Sequence, residues 1–135
     1  MRFPLALGIV FSAFFIPLST AGKEEALRSQ IEHPEFYLKI SDWSFYVASR
    51  VAIIHHVTIE NTADIAYKDI KVKVYYYSTS YPNYGRLVSS TTGVLPVTVP
   101  PKSRDVYLKD GITLGAGSLS YRAKNIEVLG ATPIR

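Results

Sequence analysis

The chain has 135 residues, no cysteine and a formal charge of +4, which excludes thiol catalysis, thiolate-bound zinc and disulfides. The basic excess is mild and specifies no nucleic-acid partner. The length suits one ordinary domain with enough core to stay folded without covalent or metal staples.

Residues 1–21 read as an export signal. Arg2 gives the positive start, residues 3–18 carry no charge, and Ser19, Thr20 and Ala21 put small residues where a signal peptidase cuts. Cleavage after Ala21 is expected, with the product in the periplasm or outside the cell. As a membrane anchor the run falls short of the ~20 apolar residues needed, and Pro4 and Pro17 interrupt it. Membrane contact is expected only through this segment, if it is retained.

Residues 22–35 form a tail or short helix. Glu24, Glu25, Ala26, Leu27 and Arg28 favour helix, but the stretch is barely two turns long before Pro34. It is either docked or mobile. From residue 36 the pattern becomes that of strands. Phe36, Leu38 and Ile40 alternate with Tyr37 and Lys39, and residues 43–47 are rich in aromatics.

In residues 51–61, Val51, Ile53, His55, Val57, Ile59 and Asn61 share one face, and Ala52, Ile54, His56, Thr58 and Glu60 the other. The face with Val57 and Ile59 is expected to be the core side. After the turn at Asn61, Thr62, Ala63 and Asp64, Ile65 and Tyr67 lead into a strand over residues 68–78. There Ile70, Val72, Val74 and Tyr76 alternate with Lys71, Lys73, Tyr75 and Tyr77, as in an antiparallel sheet covered on one side.

Pro82, Asn83 and Gly85 make residues 80–85 a tight loop, so residues 86–90 should return as a hairpin partner. Separate strands are expected at 94–99 and 104–108, parted by Pro100 and Pro101, whose nitrogens cannot donate to a ladder. Gly111, Gly115 and Gly117 then mark the last connection, and residues 119–129 close the domain. In that segment Tyr121 and Ala123 have one parity and Ile126 and Val128 the other, so a β-bulge near Lys124 and Asn125 is expected to bring both pairs to the core. Together these segments predict an all-β fold, an antiparallel two-sheet sandwich of about seven strands over residues 36–135.

Residues 57–78 also carry a resemblance. An apolar alternation ends in Asn61, Thr62-Ala63-Asp64 follows, then Tyr67-Lys68, the Ile-Lys-Val-Lys-Val run and Val74-Tyr75-Tyr76-Tyr77-Ser78. The series resembles the bacterial FxLYD domain and the wider immunoglobulin-like exported domains related to late-embryogenesis proteins. Val74, Tyr76 and Ser78 depart from that family's aromatic motif, and Lys102 stands where a glycine usually follows proline. The resemblance implies an immunoglobulin-like sandwich with a non-enzymatic envelope or secreted role. It supplies no functional residue.

Reaction chemistry finds little footing. His55 and His56, as neighbours on a strand, point to opposite faces and cannot close on one metal ion without a bulge, and His33 is distant in sequence. One ring half-buried and the other exposed is the expectation. No Gly-x-Ser-x-Gly elbow occurs, and Glu24, Glu25, Asp105 and Asp110 read as solvated carboxylates. Gly115-Ala116-Gly117 lacks a third glycine and a following helix, so it reads as a flexible turn. Asn61, Asn83 and Asn125 all lack the glycosylation sequon. No catalytic residue, metal or cofactor is assigned.

The aromatic cluster has more pull. Tyr67, Tyr75, Tyr76, Tyr77, Tyr81 and Tyr84 crowd one part of the chain. Tyr75 and Tyr77 share the wet face with Lys71 and Lys73. With Tyr81 and Tyr84 they form the candidate face for an unknown envelope protein or an acidic glycan. Cross-strand pairing of the same tyrosines is the competing use. The three function readings are a non-enzymatic exported binding or structural module, a carbohydrate-binding module on the tyrosines, and an enzyme with an unrecognised site.

Overall fold

The computed structural model describes residues 22–135; residues 1–21, expected to be an export signal, lie outside the described residues. The order is α1 (Lys23–Glu32), a 3-10 turn (Pro34–Phe36), β1 (Leu38–Ala48), β2 (Val51–Asn61), β3 (Ala66–Ser78), β4 (Leu87–Val99), β5 (Ser103–Tyr107), β6 (Ile112–Ala116) and β7 (Tyr121–Ile134). One sheet runs β1-β2-β5, with β6 also on β2, and the other runs β4-β3-β7; all pairings are antiparallel. The fold is an all-β two-sheet sandwich of seven strands, as the sequence indicates.

The core lies between β2 and β3, the central strands of the two sheets. Ala52, Ile54, Val57 and Ile59 face Ile70, Val72 and Val74, all fully buried, and Leu95 and Val99 from β4 close the layer. The two edge strands of the second sheet each hold a proline, Pro96 in β4 and Pro133 in β7. Edge positions tolerate the missing donor.

Both central strands change sides once. In β2, Ile54 and Val57 are buried, while His55 is half-buried and His56 exposed. The expected uninterrupted alternation is therefore wrong for Ala52 and Ile54, which join the core. The break is a β-bulge with His56 at φ 50°, and the register steps from Asp42↔Thr58 to Ser44↔His55, one residue longer on β2. In β3, Tyr67 and Ile70 are buried, Lys68 and Asp69 exposed, and Asp69 has φ 53°. Beyond that point Ile70, Val72, Val74, Tyr76 and Ser78 are buried, as their alternation indicates.

Other boundaries move. The two strands expected at 86–90 and 94–99 are one continuous strand, β4, which begins at Leu87, and those expected around 36–40 and 43–47 merge into β1, which begins at Leu38 and leaves Phe36 exposed in the 3-10 turn. The glycine-marked connection contains β6. Gly117 is no free turn: a Cβ there would lie 3.0 Å from the Ala52 nitrogen and from Val47 Cγ2, and its N–H donates to the Arg50 carbonyl at 2.9 Å. In β7 the bulge falls where expected, with Tyr75↔Asn125 followed by Tyr76↔Ala123. It brings Ala123, Ile126 and Val128 against the core, but Tyr121 stays exposed.

Helix α1 is docked. Gln30 is buried, its Nε2 donates to Asp64 Oδ2 at 3.4 Å and its Oε1 accepts from the Asp64 N–H at 3.1 Å. The Tyr67 hydroxyl donates to the Gln30 carbonyl at 2.7 Å, and the Tyr37 hydroxyl to Ser29 Oγ at 2.9 Å. The β2–β3 turn is fixed by buried Asn61, whose Nδ2 donates to the carbonyls of Ile65 and Pro100 at 2.9 and 3.0 Å and whose Oδ1 accepts from the Ala63 N–H at 2.9 Å. An aspartate there could not donate, which accounts for the amide.

Candidate functional site

Because Ile70, Val72, Val74 and Tyr76 point inward, β3 presents Lys71, Lys73, Tyr75 and Tyr77 to the outside of its sheet, between β4 and β7. The register sets Lys73 beside Thr92 and Glu127, and Tyr75 beside Ser90 and Asn125. The Tyr75 hydroxyl donates to Glu127 Oε1 at 2.7 Å, and Asn125 Nδ2 donates to the Tyr77 hydroxyl at 2.9 Å. The bond to Glu127, more than any burial, raises the Tyr75 phenol above its ordinary pKa, because ionisation would set two negative oxygens against each other.

Ammonium groups lie near both rings. Lys73 Nζ is 5.3 Å from the Tyr75 ring centroid and Lys124 Nζ 5.6 Å from that of Tyr77, within cation–π range. The tyrosines thus use their hydroxyls on β7 neighbours, the cross-strand pairing that competed with the ligand reading. The result is an ordered outer face on which Lys71, Lys73 and Lys124 outnumber Glu127.

Tyr81 and Tyr84 belong to the loop between β3 and β4, where their rings stack at 5.4 Å with an interplanar angle of 19°. They are 85% and 60% exposed. The loop closes through the Ser78 N–H on the Arg86 carbonyl and the Gly85 N–H on the Ser78 carbonyl, 2.9 and 2.8 Å. Gly85 sits at φ 81°, open to glycine and strained for other residues.

The second cluster lies on β2. The bulge turns His55 and His56 toward each other, with their Nδ1 atoms 2.8 Å apart and ring centroids 5.0 Å apart. The expectation that they point to opposite faces is corrected by the left-handed conformation of His56. The Tyr46 ring stands edge-on to His55 at 5.5 Å. The His56 N–H donates to the Leu108 carbonyl at 3.1 Å, in the gap between β5, which pairs with residues 57–61, and β6, which pairs with residues 51–54. Gly111 is required beside it: its φ is 84°, and a Cβ would lie 3.0 Å from Ile53 Cγ2.

The sequence did hold a signal for this bulge. Ala52 and Ile54 before the histidines, and Val57 and Ile59 after them, are apolar on opposite parities, the same conflict that places the bulge in β7. His33 stands apart, 3.2 Å from Glu35 and stacked on Phe36.

Among the described residues, no group of three or more His, Asp or Glu side chains is placed to hold a metal ion. A depression of about 480 Å³ lies between Val47, Ser49 and Arg50 and residues 117–120, with neither a carboxylate nor a histidine in its lining. No helix among the described residues is long and apolar enough to cross a membrane.

No protein-family profile and no curated protein matches the chain. Among solved structures the chain is similar to a trimeric lipoprotein of Salmonella enterica, SadB, with a TM-score of 0.40 and 13% identity over 93% of this chain and 78% of that one.

Proposed function

We propose that the protein is an exported, non-catalytic binding module of the bacterial cell envelope that meets an acidic protein partner on the outer face of β3. The observation that carries this reading is the fixed, cation-rich ladder of Lys71, Lys73, Tyr75 and Tyr77, with Tyr75 and Tyr77 hydrogen-bonded to β7. A face already ordered before contact loses little side-chain entropy on binding, and lysines set among aromatic rings favour negative charge opposite them. Export is supported by the charge and apolar pattern of residues 1–21. The FxLYD-type affinity is supported by the part Asn61 plays in the turn and by the left-handed backbone at Lys102, where that family places glycine.

A carbohydrate reading keeps one specific observation, the exposed Tyr81–Tyr84 stack. At Tyr75 and Tyr77 the nearby lysine ammoniums leave sugar rings less room to stack.

The test compares partner recovery from native envelope extract by the parent protein and by a Tyr75→Ser, Tyr77→Ser variant. Truncating central aromatic anchors typically costs 2 kcal/mol or more, about thirtyfold in affinity, while the outward positions leave the melting profile cooperative. Unchanged recovery by a folded variant refutes the face. Glycan binding abolished by Tyr81→Ser and Tyr84→Ser would establish the carbohydrate reading instead.

A further inference from the structure

We propose that the β2 bulge is a surface copper(II) site in which Nδ1 of His55 and Nδ1 of His56 take two adjacent corners of a square-planar coordination shell. A regular strand would hold these rings on opposite faces. Here the chain adopts a left-handed backbone at His56, φ 50°, a conformation that glycine enters freely, and it carries an imidazole there. The two nitrogens are brought to 2.8 Å.

The 2.8 Å separation is that of the hydrogen bond between the two rings. It is also the spacing of two adjacent corners of a square plane with metal–nitrogen bonds of about 2.0 Å, so the pair can take both corners once the ring-to-ring hydrogen is given up. Square-planar nitrogen sites suit copper(II) and nickel(II), and copper(II) binds such donors more tightly. Without metal, one ring donates its Nδ1 hydrogen to the other. On binding, that hydrogen moves to Nε2 of its own ring, and two neutral imidazoles present their lone pairs to the ion. Tyr46, edge-on to His55 at 5.5 Å, and the bond from the His56 N–H to the Leu108 carbonyl at 3.1 Å fix the cluster from both sides.

Since no third His, Asp or Glu completes a cluster among the described residues, water or a small anion fills the remaining positions. The site is therefore exchangeable and takes up or releases copper(II) without unfolding the domain.

The chain contains a single tryptophan, and Trp43 falls in the register gap opposite the bulge, between Asp42↔Thr58 and Ser44↔His55. Copper(II) at the pair should quench its fluorescence. The test titrates the protein, purified without a polyhistidine tag, with copper(II) in the presence of glycine as competitor. One equivalent should bind, with electron paramagnetic resonance showing a tetragonal centre and two imidazole nitrogens. His56→Gly accepts the backbone conformation and removes only the ring. It should weaken binding by about tenfold or more, since loss of a mere outer-shell partner already costs about 10- to 100-fold. His33→Ala should change nothing. Binding by the His56→Gly variant as tight as the parent's, loss of binding in His33→Ala, or a resonance spectrum without imidazole nitrogens would overturn the proposal.

Discussion

The two central strands use the same device at different places. In β2 the outward pair His55–His56 lies between buried Ile54 and Val57; in β3 the outward pair Lys68–Asp69 lies between buried Tyr67 and Ile70. In each, the second outward residue is left-handed, His56 at φ 50° and Asp69 at φ 53°. The break in β3 falls near the strand's start and leaves the run from Ile70 to Ser78 unbroken, so that strand presents a regular outer ladder. In β2 the break falls in the middle, splits the facing edge between β5 and β6, and gathers two imidazoles. One kind of local irregularity yields a continuous interaction face in one sheet and a point cluster in the other.

The largest effect expected from this comparison concerns Ile54. Uninterrupted alternation would turn it outward, whereas the bulge buries it fully. Ile54→Ala should cost about 2–5 kcal/mol in urea unfolding, and Ile53→Ala, on a half-buried outer residue, clearly less. A larger loss at Ile53 than at Ile54 would remove the bulge and, with it, the likeness between the two strands.

How much of this was legible follows from the same contrast. The faces of residues 70–78 could be read because a two-residue period holds there without interruption, and the bulge in β7 because its two apolar pairs disagree in parity. The same disagreement in β2 is masked by apolar residues on both faces before His55, since Val51 and Ile53 alternate with Ala52 and Ile54. Strand β6 is only five residues long and is bracketed by Gly111 and Gly117, and its strand character comes from pairing with β2. For the candidate face, sequence places Lys71, Lys73, Tyr75 and Tyr77 together. It cannot supply the partners Glu127 and Asn125, which are 52 and 48 residues away along the chain and meet the tyrosines only through the bulged register of β7.

A pair of smaller effects separates the two ends of β3. The Tyr67 hydroxyl donates to the Gln30 carbonyl at 2.7 Å, whereas the buried Tyr76 hydroxyl has no hydrogen-bond partner among the described residues. Tyr67→Phe should destabilise by about 1–3 kcal/mol, because it strands a carbonyl, while Tyr76→Phe should be neutral or stabilise by up to about 1 kcal/mol. The two should also differ with pH. Burial, then the neighbouring Tyr37 and Glu35, pushes the Tyr67 phenol up to about 12. The folded chain therefore holds this proton more tightly than the unfolded chain, whose tyrosines titrate near 10. The associated stability is complete below about pH 10 and is lost as pH rises toward 12. Urea midpoints followed from pH 9 to 12 should fall less steeply in Tyr67→Phe. Part of the fall should remain, since burial also raises the Tyr76 and Tyr107 phenols. Equal slopes in parent and variant would show that the helix end gains nothing from the Tyr67 proton.

The smallest effect concerns the turn that joins the two strands and its neighbour Lys102. Lys102 has φ 49°, its N–H donates to the Ala63 carbonyl at 3.0 Å, and its Nζ donates to the Thr62 carbonyl at 2.8 Å and stands 3.5 Å from Asp64. Glycine would relieve a left-handed penalty of about 1–2 kcal/mol. Against that stand the extra unfolded-state entropy of glycine, about 0.5–1 kcal/mol, and an exposed ion pair that contributes about 0–1 kcal/mol. These terms nearly cancel, so Lys102→Gly should stay within about 1 kcal/mol of the parent. Lys102→Val keeps the strained backbone, loses the ammonium and adds a β-branch, so it should cost about 1–3 kcal/mol. If both variants lose stability equally in thermal unfolding, the turn depends on the Nζ bonds to the β2–β3 connection; if only valine does, the backbone conformation of the turn outweighs the side chain that occupies it.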